Sequence, residues 1–366
     1  MGFGNAAQLF HVSALAELSD RYEVVAVVDP TNENRRIAID LVGLPPTNVH
    51  ADVDALWRRA DLDMIDICTP PLIRKEVIEG AVKLNLHIVC EKPLARSPRE
   101  AVDLEHTVVA NDGVFSMIHN YMYVPEYAAL LAAVREGEVG RVEVVNINAL
   151  GIGDIPGTPS YQPTWRHDPT VGGGGVLMDM MHYVYVAEAL MGEPMKRVSA
   201  TAWGREPTAK VEDLALCRFD SAVSSAVINV GWGPGPGGVF VSGTRGRGVI
   251  RYEDADPFGS PEEVFIFNEA GHKRLDVGEI TTGHREVFSD VARAISANEQ
   301  PSSTIHDGVR TLQAVIGAYK SAWTGQPVDL PLREDDPVYQ HGVEGLRDLP
   351  PDHTSWFGRI SAWKTD

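Results

Sequence analysis

Short apolar runs alternating with stretches of helical periodicity constrain the first 120 residues more than any other feature does. Val24-Val25-Ala26-Val27-Val28 (within a strand over 23–28), Met64-Ile65-Asp66-Ile67-Cys68, His87-Ile88-Val89-Cys90 and Val114-Phe115-Ser116-Met117-Ile118 read as buried strands, with a shorter one near His50. Residues 31–42, 52–60, 72–85 and 98–111 read as the intervening helices. Parallel neighbours need a crossover connection, and a helix supplies it, so this alternation implies a parallel sheet. Ligands of such sheets bind outside the carboxyl ends of the strands. Thr69-Pro70 and Glu91-Lys92-Pro93 both fall at such ends.

The chain opens with Gly2, Gly4 and Ala7 in the G-x-G-x-x-A spacing of a dinucleotide-binding turn. The first glycine makes the tight turn, the second lets backbone approach a pyrophosphate, and the third small residue lets the helix pack closely on the sheet. A helix over 5–19 then offers its free N–H groups to phosphates. Asp29, at the end of the 23–28 strand, is placed to hold ribose hydroxyls, or equally is a turn-former beside Pro30. Arg35 and Arg36 follow and suit a 2′-phosphate. Only Met1 precedes the glycine turn, where a doubly wound sheet has a central strand whose loss would strand ladder groups of its neighbours. The expectation is a natural reading frame that starts upstream, which the intact mass of the native protein tests.

With 366 residues the chain exceeds one ordinary core. Its formal charge of −19 repels phosphate backbones, and without a basic stripe no nucleic-acid partner is expected. Cys68, Cys90 and Cys217 are too few and too scattered for a disulfide framework or a structural zinc site, and a reducing cytoplasm fits them. All three read as buried small hydrophobes. No apolar run reaches the roughly 20 residues of a membrane span. His11, His119, His167 and His182 lack metal-ligand spacing, so no metal is expected. Beyond residue 140, strands at 140–150, 197–203, 213–219, 223–231, 238–242 and 247–251 alternate with glycine-rich turns as hairpins do, with the run from Gly233 to Gly238 as a loop. Helices at 284–297 and 306–323 follow. The tail 331–366 carries Trp356, Phe357 and Trp363, aromatics that suit docking on its own domain or on a neighbouring subunit.

Several motifs converge on one resemblance. They are the glycine turn with His11 four residues past Ala7, Thr69-Pro70-Pro71, and Glu91-Lys92-Pro93-Leu94-Ala95. The runs Gly172-Gly173-Gly174-Gly175-Val176-Leu177-Met178-Asp179 and Gly243-Thr244-Arg245-Gly246 complete the set. Over residues 2 to 330 the chain resembles the glucose–fructose oxidoreductase / inositol dehydrogenase (Gfo/Idh/MocA) family. The resemblance implies an α/β chain: a Rossmann-type domain over 1–120, here lacking its first strand, and an α+β domain over 121–330 with a large, mainly antiparallel sheet. That sheet implies a homo-oligomer, a dimer or tetramer. The implied activity is hydride transfer between NAD or NADP, with NAD preferred, and a sugar, glycoside or cyclitol. By analogy Lys92 touches the substrate hydroxyl and the nicotinamide ribose, while Asp179 and His182 handle the proton. Three positions depart from the family pattern. Asp179-Met180-Met181-His182 is one residue shorter than Asp-x-x-x-His, Arg74 replaces a frequent His, and Met122 replaces a frequent Arg.

The residue chemistry agrees with this assignment. Alcohol oxidation by hydride transfer needs a proton acceptor and a positive charge or donor for the developing alkoxide. A lysine held between a buried strand and a proline suits the second task, and burial moves it towards the first. Asp179, His182 and Tyr183 share one face if a single helix carries them, and a carboxylate one turn before an imidazole tunes it. His182 is the preferred proton-transfer group, with Tyr183 the alternative. The expected cofactor contacts are Gly2, Gly4, Ala7, Asp29, Thr69, Pro70, Glu91 and Lys92. Expected substrate contacts are Asn120, Tyr123, Trp165, Arg166, His182 and Tyr183, with Tyr121 and His167 nearby, although each suits structural packing as well. Two other functions are compatible with the scaffold: a glycosidase using NAD for transient oxidation, and a non-catalytic sensor of nucleotide or sugar. The sensor has no need of the Lys92, Asp179 and His182 set.

Overall fold

The apolar runs of the first third become two small parallel sheets side by side. The computed structural model describes residues 1–154, 167–204, 211–233, 235–252 and 263–352. Strands β1 (Val27–Val28) and β2 (Val49–His50) form one pair. Strands β3 (Met64–Ile67), β4 (His87–Cys90) and β5 (Phe115–Met117) form the other sheet, with Ile67 opposite Cys90 and Cys90 opposite Met117. A π-helical turn at Ala7–His11 leads into α1 (Val12–Glu17), and α2 (Asn32–Val42), α3 (Arg74–Lys83) and α4 (Pro98–Val109) supply the crossovers. Gly43 ends α2 in the left-handed conformation, and Ser97 caps α4 by accepting from Glu100 N–H; both are sequence-local stop and start signals.

Among the described residues, backbone hydrogen bonds of Met1 and Gly2 link the two sheets. The Met1 ammonium donates to the Asp66 carbonyl at 2.7 Å, Cys68 N–H to Met1 at 2.8 Å, and Gly2 N–H to Val28 at 2.8 Å. Residues 23–26, expected in the strand with Val27 and Val28, run unpaired. The reason is the ladder: a strand is defined by partners, and Met1–Gly2 reach only the carboxyl end of β1. The helix expected over 52–60 is reduced to one 3-10 turn, Val53–Ala55, started by Asp52 accepting from Asp54 N–H.

Helix α5 (Pro125–Arg135) leads to a nine-stranded sheet. Its strands are β6 (Val142–Ile152), β7 (Arg197–Trp203), β8 (Leu214–Asp220), β9 (Ser225–Trp232), β10 (Gly237–Gly243), β11 (Gly246–Arg251), β12 (Glu263–Asn268) and β13 (Gly271–Arg274), with β14 (Val328–Asp329) at one edge. All pairs are antiparallel except β6 with β9. Gly237 and Gly238, expected in a loop, belong to β10, and β12 and β13 extend the sheet beyond the expected set.

Between β6 and β7 lie α6 (Val176–Asp179) and α7 (His182–Met191), and α8 (His284–Ala297) and α9 (Ile305–Thr324) follow the sheet. Helix α9 opens with a Thr304–Asp307 capping box and packs on β7, β5 and α4, so one buried helix touches both halves of the chain. The next segment docks on its own chain, since Val338, Tyr339, Val343 and Leu346 are buried against α4 and α9, and Trp323 Nε1 donates to the Leu349 carbonyl at 3.0 Å. Trp356, Phe357 and Trp363 lie outside the described residues.

A buried carboxyl fastens the glycine run. Glu212 accepts from Gly175 N–H (3.1 Å), Leu177 N–H (2.9 Å) and the Tyr319 hydroxyl (2.8 Å). Gly175 is required here, because a Cβ on it would lie 1.8 Å from the Glu212 carbonyl oxygen. Burial pushes the Glu212 carboxyl up from 4.5 to about 7, against the pull of its three donors. A carboxyl raised on folding favours the folded state most while protonated, so this contribution is lost as pH rises from 4.5 through about 7. Glu212→Gln is expected to flatten the fall in Tm between those pH values, measured by calorimetry; an unchanged slope would show that Glu212 ionises freely.

Candidate active site

The glycine turn, the ends of β3 and β4, the segment after β5, and α6 with α7 enclose one cavity. Gly2 has φ +78°, and a Cβ there would come within 2.9 Å of the Cys68 carbonyl carbon, so only glycine lets the turn lie against the end of β3. Phe3 N–H donates to Asp29 Oδ2 at 2.7 Å, while Asp29 Oδ1 takes Thr31 N–H (2.8 Å) and Asn34 Nδ2 (3.2 Å). Asp29 therefore fastens the turn and starts α2. Ala7 packs with Phe3, Val27, Ala38 and Leu44, the close helix–sheet contact its small side chain permits. Asn5 and Ala6 reach the cavity, and neither Gly4 nor Pro70 is among its lining residues.

The strand ends are tied by two buried charges. Arg74 is 1% exposed and has every N–H engaged by a main-chain carbonyl. Nε and Nη2 donate to Thr69 (2.8 and 2.6 Å), Nη2 also to Lys92 (3.3 Å), and Nη1 to Glu91 and Pro93. The departure from the family pattern at this position is thus a clamp between the Thr69 turn and the Glu91-Lys92-Pro93 loop, built on the planar fork that only arginine has. His11 is the second charge. Its Nδ1 meets Asp66 Oδ2 at 2.9 Å and its Nε2 meets Glu91 Oε1 at 3.1 Å. Burial alone would discharge His11, but Asp66 and Cys68 raise it well above its ordinary 6.5, and Glu91 is held down at about 2, mainly by His11 against burial. Cys68, expected to be a buried hydrophobe, is half-buried with its Sγ 3.3 Å from His11 Nδ1. His11, Glu91 and His284 offer ligand atoms within 4.8 Å of one another. Both ring nitrogens of His11 lie on carboxylates, so a protonated His11 satisfies Asp66 and Glu91 together.

Across the cavity, Lys92 Nζ donates to the Asp179 carbonyl at 2.6 Å and lies 3.6 Å from Asp179 Oδ1. The expected single helix is broken: α6 ends at Asp179 and α7 begins at His182, so Asp179, His182 and Tyr183 do not share a face. His182 lines the cavity, stacks on Tyr121 at 4.3 Å and places Nδ1 2.7 Å from the Tyr185 hydroxyl. Tyr183 is buried edge-on against Tyr121 and Tyr127, outside the cavity lining. Tyr123 also points elsewhere, donating to Asp290 Oδ2 at 2.8 Å. Asn120 lines the cavity and is anchored by Nδ2 on the Thr282 carbonyl at 2.8 Å. His167 pairs with Asp154 and stacks on Trp232, and Trp165 and Arg166 lie outside the described residues.

Of the expected residues, the structure brings Thr69, Glu91, Lys92, Asn120, Asp179 and His182 to one cavity. Reading the sequence missed Asn5, Phe10, Ile152 and His284: Asn5 is an unspecified position of the glycine motif, Phe10 and Ile152 belong to no motif, and His284 only marks a helix start. Phe10 and His284 stack at 4.8 Å and form a flat wall beside Glu91. Asn5 Oδ1, Thr69 Oγ1 and Asn120 Oδ1 are buried without hydrogen-bond partners. Buried polar atoms without partners are costly, and three around one cavity beside a glycine turn fit a polar ligand such as a nicotinamide dinucleotide. Arg74→Met keeps the length but strips the donors from four carbonyls; it is expected to lower stability by about 3 kcal/mol or more, read by urea unfolding. A loss under about 1 kcal/mol would show that the clamp is dispensable.

Residues 1–119 match the model of an "Oxidoreductase family, NAD-binding Rossmann fold", and residues 127–248 match the "GFO/IDH/MocA C-terminal domain". The chain is similar to the D-xylose 1-dehydrogenase (NADP(+)) 2 of Haloferax volcanii, with 24% identity over 85% of this chain and 93% of that one. It is 30% identical to the levoglucosan dehydrogenase of Pseudarthrobacter phenanthrenivorans over 36% of this chain, a match that spans 34% of that protein's length. The solved structure of a levoglucosan dehydrogenase in complex with NADH superposes with a TM-score of 0.78 at 22% identity, covering 91% of this chain and 98% of that one, which is a likeness of fold. Two family models in the same order as the two sheets, with the Glu91-Lys92-Pro93 loop between the glycine turn and the Asp179 helix, place this chain in the Gfo/Idh/MocA family of oxidoreductases.

Proposed function

We propose that the protein is an NAD(P)-dependent dehydrogenase or reductase acting on a secondary alcohol or ketone of a sugar, glycoside or cyclitol. The observation that carries this reading is Lys92 Nζ, held 2.6 Å from the Asp179 carbonyl in a cavity that His182 also lines. Gly2, Asn5, Thr69 and Glu91 would hold the cofactor, whose nicotinamide supplies the hydride acceptor when bound. Lys92 would hold the substrate oxygen with its ammonium, which the Asp179 carbonyl and carboxylate aim. His182, fixed by stacking on Tyr121, meets the same oxygen from the second wall. Phe10 and His284 exclude water from one side. The names of the relatives, a xylose and a levoglucosan dehydrogenase, support a carbohydrate-like substrate.

NAD is the preferred cofactor in this reading. Asp29 sets a negative charge at the end of β1, where a 2′-phosphate would be repelled. Arg36 is paired with Glu33 and Asp40, and Arg35 Nη1 donates to the Asp29 carbonyl at 2.7 Å. A domain boundary near residue 120 matches the change from the parallel to the large sheet. Val144, Leu216 and Phe240 are exposed on one face of that sheet, which supports a homo-oligomer, a dimer or tetramer. No helix among the described residues is long and apolar enough to cross a membrane, and three free cysteines suit the reducing cytoplasm.

A panel of sugars, glycosides and cyclitols with NAD+ and NADP+, followed by reduced-cofactor absorbance, tests the activity. Net reduced cofactor with a free sugar separates a dehydrogenase from a glycosidase that oxidises transiently. Lys92→Ala is expected to lower turnover at least about 100-fold; wild-type turnover in that variant would refute the assignment. His182→Ala is expected to do likewise, and Tyr183→Phe to matter less, since Tyr183 is buried away from the cavity; the reverse ranking would exchange their roles.

A further inference from the structure

His182 sits in a hydrogen-bond arrangement that determines which of its nitrogens carries the proton. The Tyr121 backbone N–H donates to the Tyr185 hydroxyl oxygen at 3.1 Å, and His182 Nδ1 lies 2.7 Å from the same oxygen. A backbone N–H can only donate, so it uses one lone pair of the Tyr185 oxygen. The hydroxyl hydrogen must then go to an acceptor, and among the described residues His182 Nδ1 is the one within reach. Burial raises the Tyr185 phenol well above its ordinary 10, so it keeps that hydrogen. Behind Tyr185, His119 stacks face to face at 4.0 Å and closes that side of the ring.

We propose that Tyr185 is a positioning residue that holds His182 as the neutral Nε2–H tautomer, making His182 a hydrogen-bond donor to the substrate oxygen rather than its proton acceptor. This rests on the dehydrogenase reading above and deepens it. Protonating Nδ1 would turn two donors, Nδ1–H and Tyr121 N–H, onto one oxygen and strand the Tyr185 hydrogen in a buried site, so the imidazolium is disfavoured. Accepting a proton at Nε2 from a substrate hydroxyl requires the same rearrangement. In alcohol oxidation the C–H bond would break with its hydride passing to a nicotinamide held here, and the hydroxyl proton would pass to Lys92 as its ammonium hands one proton to Asp179 Oδ1, 3.6 Å away. His182 Nε2–H stabilises the alkoxide throughout and keeps its hydrogen. In ketone reduction the carbon gains the hydride, Lys92 returns the proton to oxygen, and His182 again only donates.

Among the described residues, the titratable groups that line the cavity with His182 are Cys68, Arg74, Glu91, Lys92, Asp179 and His284, with Tyr121 and Tyr185 on its own side and His119 behind Tyr185. Burial lowers His119 to about 4 and His284 to about 3, so both rings are neutral near pH 7 and neither adds a positive charge beside His182.

Long-range proton–nitrogen correlation spectra of histidine-labelled protein test the tautomer directly, with His182→Gln identifying the signal. The expected result is a His182 with Nε2 protonated and Nδ1 bare that does not titrate between about pH 6 and pH 8. Tyr185→Phe is expected to give mixed tautomers titrating near the ordinary histidine value, and to lower kcat about tenfold with little change in KM. A wild-type His182 that is Nδ1-protonated or charged at pH 7 would overturn the proposal, even if Tyr185→Phe fails to fold. The spectra do not depend on turnover. A bare Nδ1 together with no reduced cofactor from any sugar, glycoside or cyclitol would therefore sink the dehydrogenase assignment and leave the tautomer standing.

Discussion

The buried ionic bridge from Asp66 through His11 to Glu91 holds the cofactor edge of this protein together. Each residue comes from a different element: His11 from the helix after the glycine turn, Asp66 from β3, and Glu91 from the end of β4. Asp66 and Glu91 both belong to the β3–β4–β5 sheet, so the bridge fixes the His11 helix on the ends of that sheet. Removing one partner of a buried pair leaves an uncompensated charge, and the cost of that is far greater than the net gain of the pair. The bridge therefore specifies an arrangement more than it adds stability. What it specifies is the position of the Glu91-Lys92-Pro93 loop relative to the glycine turn.

Arg74 and Glu212 extend the same logic to neutral partners. Arg74 spends its guanidinium on four carbonyls, and Glu212 its carboxyl on two backbone N–H groups and a phenol. In both cases an irregular segment that cannot satisfy its own main chain is held by one multidentate side chain. The two segments carry Lys92 and Asp179, whose contact spans the cavity. The buried charges thus sit one step behind Lys92 and Asp179, and the shortened Asp179-to-His182 spacing is absorbed by a break between α6 and α7.

Much of this was legible in the chain itself. Strand–helix alternation announced the parallel sheet, and β7 and α8 follow the expected 197–203 and 284–297 because local periodicity and turn residues set them. The Lys92 loop, the glycine turn and the Asp179 helix were legible because their motifs encode backbone geometry. Tyr123 and Tyr183 were misplaced in the site because sequence spacing assumed an unbroken helix after the glycine run and a segment after β5 turned wholly to the cavity. The unpaired residues 23–26 and the lost helix near residue 55 failed for another reason, since both depend on neighbours distant in sequence.

The amino-acid order alone determined which residues can do chemistry here, because lysine, aspartate, histidine and glycine announce their capacities wherever they fall. Tertiary structure decided which of them meet. Whether His182 or Tyr183 faces the cavity turns on one residue of helix length, and whether Arg74 binds a ligand or a loop turns on which carbonyls surround it. The tautomer of His182 is set by Tyr121 N–H, which reaches Tyr185 from another segment of the chain. Contacts of that kind are invisible to periodicity, because hydrogen bonds between distant segments depend on the packing that brings them together.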